Sequence, residues 1–177
     1  VGATTSKRRS VVDDCRPFCT TKEVVVEVRD RHGNLKSRSV TNFDTKEGPP
    51  NLRTNVGADF WNLQLFGLTS AAAQANYIAM TTDSAAPAAT DTTLASEETT
   101  NGLGRAQATA VTHTASATTT VLSKTFTYTG SSSKVIAKVG LFNAASVGTM
   151  VLETLLATTA TVNANGDQIT ISWTVNF

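Results

Sequence analysis

The sequence predicts a mainly β protein: an antiparallel β-sandwich, jelly-roll-like, with one short helix and an extended N-terminal arm containing a β-hairpin. Three observations carry this reading. Short segments rich in Val, Ile, Thr and aromatic residues recur between turn residues every ~8 to 12 positions, the spacing of sandwich strands. The closing segment alternates, with Ile169, Ile171, Trp173, Val175 and Phe177 on one side and Gln168, Thr170, Ser172, Thr174 and Asn176 on the other; that is the pattern of a half-buried strand. Charged residues make up only 16% of the 177-residue chain, against ~25% in an average soluble protein, and Thr, Ala and Ser take their place. A surface of hydroxyls and methyls is weakly hydrated, which suits cover by neighbouring subunits.

Taken in order, residues 1–20 have no sustained period and hold Lys7, Arg8 and Arg9 together, as in an extended arm. Cys15 and Cys19 flank Pro17. In an extended segment they would lie about 13 Å apart, at ~3.3 Å per residue, beyond the ~7 Å that a disulfide bridges. Two free thiols are the simpler reading; if oxidised, they are expected to bond to neighbouring subunits at least as readily as to each other within the loop. Val24, Val26 and Val28 then alternate against Val25, Glu27 and Arg29. The turn residues Asp30, His32, Gly33 and Asn34 follow, and Leu35–Val40 returns as the second strand of a hairpin. Lys36 and Arg38 on the return strand suit an exposed edge.

Lys46-Glu47-Gly48-Pro49-Pro50 breaks regular structure and divides the chain into an arm, residues 1–50, and a body, residues 51–177. Asn55 is placed to cap a helix with Val56, Phe60, Leu63 and Gly67 on one face and Trp61 and Leu65 beside it, although Phe60–Phe66 also fits a buried strand. Tyr77–Met80 reads as an apolar strand, Asp83–Leu94 as an ordered loop around Pro87, and Ala106–Thr129 as two Thr-rich strands ending with Phe126 and Tyr128 on one face. Val135–Phe177 reads as three strands joined by short turns. The expected core comprises Phe60, Tyr77, Ile78, Leu141, Ile169, Ile171, Trp173, Val175 and Phe177.

Composition excludes several functions. The net charge of +1 exerts no overall pull on nucleic acid or membrane, although residues 1–60 are mildly basic and the remainder mildly acidic. No apolar run approaches the ~20 residues of a membrane span, and no signal-peptide pattern opens the chain, so a soluble, cytoplasmically made protein is expected. His32 sits in a turn and His113 in a Thr-rich strand, and neither adjoins a nucleophile elbow or a second metal ligand. Asn163-Ala164-Asn165-Gly166-Asp167 resembles part of a calcium loop but lacks the leading Asp and distal Glu. It reads better as a hairpin turn, as does Asn101-Gly102. Trp61, Trp173 and Phe177 could stack on sugars, but Trp173 and Phe177 fall on the core face. No enzyme, cofactor or metal is expected.

The order Tyr77-Ile78-Ala79-Met80, Pro87, Asp91-Thr92-Thr93-Leu94, Glu97 and Gly104-Arg105-Ala106 continues through Val139–Ala144 and Gly148-Thr149-Met150 to Ile169–Phe177. From about Thr54 onward it resembles the body domain of tailed-bacteriophage virion proteins of the tail-fibre or tail-collar-like type. The resemblance implies a non-catalytic β domain that assembles on the phage particle as a homo-oligomer, trimeric or higher, at the neck, collar, tail or capsid exterior. It would be made in the bacterial cytoplasm, with other virion proteins as partners. The arm, through Val24, Val26, Val28, Lys36 and Arg38, suits strand addition to a neighbour, with Cys15 and Cys19 as inter-subunit candidates. The alternatives are a module binding host-surface glycans and a capsid decoration protein that cements subunits.

Overall fold

A computed structural model describes residues 20–42, 51–66 and 73–176. Its elements are β1 (Thr20–Arg29), β2 (Leu35–Asn42), β3 (Asn51–Arg53), α1 (Asn55–Phe66), β4 (Tyr77–Thr81), β5 (Ala106–Gln107), β6 (Ala110–His113), β7 (Thr119–Thr127), β8 (Lys134–Phe142), β9 (Met150–Val162) and β10 (Gln168–Asn176). They form two five-stranded antiparallel sheets. The first has the order β2-β1-β10-β7-β6 and the second β3-β9-β8-β4-β5, so the expected antiparallel β-sandwich with a short helix is what the chain forms.

The core lies between the sheets and follows the period-two pattern. From β10 come Ile169, Ile171, Trp173 and Val175; from β1 Val24, Val26 and Val28; from β7 Leu122 and Phe126; all are buried against Ile78, Met80, Ile136, Val139 and Leu141 of the second sheet. Each such side chain contributes about 1.5–3 kcal/mol by leaving water. Phe60 of α1 joins this core as expected. Tyr77 does not: it is half-buried and packs on a separate cluster of Ala79, Leu94, Phe142 and Met150. The alternation in β4 sends Ile78 and Met80 inward and Tyr77 and Ala79 to the opposite face. Phe177, like Cys15 and Cys19, lies outside the described residues.

The hairpin assigned to an arm is instead part of the sandwich. Its turn forms as read, with the Asp30 carboxylate accepting hydrogen bonds from the His32 and Asn34 amides at 2.8 and 2.9 Å and Gly33 at φ +85°. But β1 is hydrogen-bonded on both sides, to β2 and to β10, with Val24 opposite Trp173 and Val28 opposite Ile169. Three fully buried valines on one face need a second sheet to cover them, and an isolated two-stranded arm has none. Among the described residues the hairpin shares a sheet with β10, β7 and β6, and the segment 46–50 read as the boundary lies outside them.

Two local readings also change, the cap of α1 and the strand count of residues 106–129, while the expected helix is present. Thr54, not Asn55, caps α1: its hydroxyl accepts from the Gly57 amide at 3.0 Å and donates to the Met150 carbonyl at 2.6 Å, fixing the helix to β9. Phe60–Phe66 is helix rather than strand, and α1 lies so close to β9 that a Cβ on Gly57 would sit 2.2 Å from the Val151 carbonyl oxygen. The region 106–129 holds three strands, because the chain leaves the second sheet after β5 and enters the first as β6. At this corner Ala108 donates its amide to Asn76 and Thr109 to Ser123.

The opposite corner is closed by side chains. Opposite β8, β9 carries a bulge between Leu155 and Ala160, which leaves amides without ladder partners. The hydroxyls of Thr41 and Ser39 on β2 accept from the amides of Ala157 and Thr158 at 2.9 and 3.2 Å. Both hydroxyl residues are buried, so the two sheets are joined there by side-chain-to-backbone bonds.

Candidate functional site

Three places were candidates for chemistry or attachment: the sheet edges, the Asn163–Asp167 turn, and the charged residues of the second sheet. Lys36 and Arg38 lie on β2, the outer strand of the first sheet, as an exposed edge predicted. Both are used within the fold. The Lys36 ammonium bonds Asn163 Oδ1 at 2.5 Å and Asp167 Oδ2 at 2.6 Å, and Arg38 pairs with Glu27 at 3.3 Å. Val24, Val26 and Val28 cannot serve strand addition, since β1 has both edges occupied. At the far side of this sheet, among the described residues, β6 pairs with β7 alone, and its four residues Ala-Val-Thr-His are all exposed. Its side chains carry no Lys or Glu to discourage pairing, and β6 lies in the Thr-rich region 106–129, which the sequence also offers for attachment.

The Asn163–Asp167 stretch is a turn organised by its own carboxylate. Asp167 Oδ2 accepts the amides of Asn163 and Ala164 at 2.9 and 3.0 Å, and Asp167 donates its amide to the Ala164 carbonyl. Only Gly166 takes positive φ, at +89°, the pattern of a type II turn rather than the primed turn that Asn-Gly suggested. Burial alone would raise the Asp167 pKa, but the two amides and Lys36 outweigh it and hold the carboxyl below its usual range. At Asn101-Gly102 both residues do take positive φ, +54° and +76°, as in a type I′ turn, with Leu103 donating to Thr100. Among the described residues no group of three or more His, Cys, Asp or Glu is placed to hold a metal ion.

The second sheet carries the residues that sequence reasoning missed. Its outer face is covered by the segment from Thr82 to Glu97, which closes on β4 by a bridge between Thr81 and Glu97 and buries Leu94 against Phe142 and Met150. Arg105 locks this cover. Its guanidinium grips Glu97 through two parallel bonds of 2.9 and 2.6 Å, reaches the Val147 carbonyl at 2.7 Å, and lies 3.4 Å over the Phe142 ring. Tyr77, Ala79, Leu94, Glu97, Arg105, Phe142 and Met150 therefore meet in one structural unit, while Ile169–Asn176 lies on β10 of the first sheet. Their contacts are packing and ion pairing.

Beneath the cover sits a buried ion cluster. Lys138 of β8 and Glu153 of β9 are 2% and 1% exposed. The Lys138 ammonium lies 2.9 Å from both Glu153 Oε1 and Asp83 Oδ2. Asp91, also on the cover, presents a second carboxyl to Glu153. The group lines a cleft of about 340 Å³ with Ala85, Ala88 and Thr93. Burial works to lower the Lys138 pKa, but its two carboxylate partners override it and hold the pKa above normal. Burial raises the Glu153 pKa; Lys138 pulls it back in part, and Asp91 raises it again. Glu153 Oε2 has no hydrogen-bond donor among the described residues. The available signal was a charge inside an apolar strand: Lys138 within Val135–Phe142 and Glu153 within Met150–Leu156.

A second cleft, of about 460 Å³, is polar and formed by loops, with Asn101, Thr129, Ser131, Lys134 and Asn165 on its walls. The histidines form no cluster: His32 accepts from Arg31 at 3.0 Å, and His113 Nδ1 lies 3.0 Å from the Thr119 carbonyl. Trp173 is fully buried. The arrangement defines a class: an antiparallel β-sandwich in which the charged residues brace loops against a sheet. No protein-family model matches the chain, and no curated protein does either. Among the described residues no helix is long and apolar enough to cross a membrane.

Proposed function

We propose that this protein is a non-enzymatic structural component of a tailed-bacteriophage particle, sited at the neck, collar, tail or capsid exterior and assembled with copies of itself and other virion proteins. The observation that carries the proposal is the convergence of the resembling fragments before β10 on the braced second sheet. Residues scattered between Tyr77 and Met150 meet there around Arg105 and Phe142, and a rigid, braced face is what an assembly component needs. The low charge content supports the same reading. With both edges of β1 occupied, attachment is assigned to residues 1–19 and to the outer edge of β6.

Two deletions separate these roles. Removal of residues 1–42 takes β1 and β2 from the sandwich, so that protein is expected not to fold. Removal of residues 1–19 leaves every described element in place, and the expected product is a folded protein that fails to join particles when it replaces the wild type during phage growth. Normal incorporation of the shortened protein overturns the attachment role; absence of the full-length protein from purified particles overturns the proposal itself. The polar cleft at Asn101, Thr129 and Lys134 favours a second reading, recognition of a host-surface glycan. Glycan-array binding by the isolated protein, abolished by Asn101→Ala with Lys134→Ala, would establish it.

A further inference from the structure

The ion cluster has one property that bracing alone does not require. Two carboxyls, Asp83 and Glu153, share a single ammonium, Lys138, a third, Asp91, lines the same cleft beside Glu153, and both aspartates belong to the cover rather than to the sheet. Like charges at such a distance cannot all remain ionised without cost. Elements packed against Glu153 offer no second cation among the described side chains. In the ladders β4 sets Thr81 opposite Lys138, and β3 sets Leu52, not its neighbour Arg53, opposite Glu153.

We propose that the segment from Thr82 to Glu97 is a pH-dependent cover, closed while Glu153 holds a proton and loosened when it releases that proton to solvent. In the protonated form Glu153 donates one hydrogen bond to the Asp91 carboxylate while Oε1 faces Lys138. Ionisation leaves two carboxylates in opposition. The Lys138 ammonium is already shared with Asp83, so the repulsion acts on Asp91, which is on the cover. Asp91 also holds its own turn, accepting the Ala88 amide at 2.8 Å, and the adjoining Ala89 carbonyl accepts the amide of Asn55 at the start of α1. Loosening therefore reaches the helix as well as Leu94.

Asp83 and Lys138 stay charged while Glu153 titrates. Hydrogen bonding from Lys138 and from the Ala85 amide keeps Asp83 below its usual pKa, and Lys138 is held above its own. Glu153 is the member with a raised pKa. A raised carboxyl pKa stabilises the closed state at low pH, and that stabilisation is lost as pH rises through the folded-state value.

Hydrogen exchange tests this on the intact protein. The Glu98 amide, which bonds the Met80 carbonyl, and the Asn55 amide, which bonds Ala89, report the cover; amides of β10 report the whole sandwich. After correction for intrinsic rates, cover protection in the wild type is expected to fall several-fold as pH rises above the ordinary carboxylate range and through the raised Glu153 value, with β10 unchanged. Glu153→Gln keeps the shape and the donor, so its cover should remain as protected at the higher pH as at the lower. Asp91→Asn, at a half-buried site, should flatten the profile too and serves if the buried substitution prevents folding. Wild-type protection that does not change with pH overturns the proposal, and so does the wild-type fall persisting in either variant.

Discussion

Arg105 contacts an ion-pair partner, a ring and a turn carbonyl at once, and only a planar guanidinium fits all three. Arg105→Ala leaves Glu97 without its partner in a largely buried setting and is expected to cost about 3 kcal/mol, read as a drop in the urea unfolding midpoint. Arg105→Lys should recover little, because an ammonium cannot make the paired bonds or lie flat on Phe142. The turn that Arg105 grips holds a second feature. Val147 is 88% exposed and takes φ +56°, where a β-branched residue is strained by about 1–2 kcal/mol. Val147→Asn, which tolerates that conformation, should raise the melting temperature without altering any buried contact. At Asp167 the lowered pKa gives stability that is present above the ordinary carboxylate range and lost as pH falls through the lowered value. Asp167→Asn should remove that acid-side loss, seen as a flatter dependence of unfolding midpoint on pH.

Elements differ in how far their sequence explains them. β10 is legible residue by residue, since its alternation coincides with its burial, and Ile171→Ala at its centre is expected to cost about 2–5 kcal/mol. α1 is less so. Its cap and its closest approach depend on Thr54 meeting Met150 and on Gly57 meeting Val151, contacts with a strand nearly a hundred positions away. Thr54→Ala should cost about 1 kcal/mol or more, because the buried Met150 carbonyl loses its donor along with the helix amide. β6 was read only as part of a Thr-rich pair. Its isolation as an edge arises from the crossing at residues 108–109, which no local pattern marks. Val111→Lys, at an exposed edge position, should leave stability within about 0.5 kcal/mol. If β6 carries part of the assembly, the same substitution reduces incorporation into particles.

Across the whole molecule, the sequence by itself determined the class and the faces. Period-two alternation is a property of adjacent residues, so Ile169, Ile171, Trp173 and Val175 could be assigned to a core, and Val24, Val26 and Val28 to one face of a strand, before any partner was known. Turn chemistry was equally local at Asp30–Asn34 and at Asn101-Gly102. Tertiary structure alone decided the pairing, because the bonds that place β1 beside β10 join residues from the two ends of the chain, and their stabilisation appears only when the second sheet covers the shared apolar face. That is why a hairpin that reads as a separate arm is central to the fold. It is also why the charges of Lys138 and Glu153 end in the interior: each sits on the outer face of its strand, and only the folding of a distant loop over that face, bringing Asp83 and Asp91 with it, removes them from water.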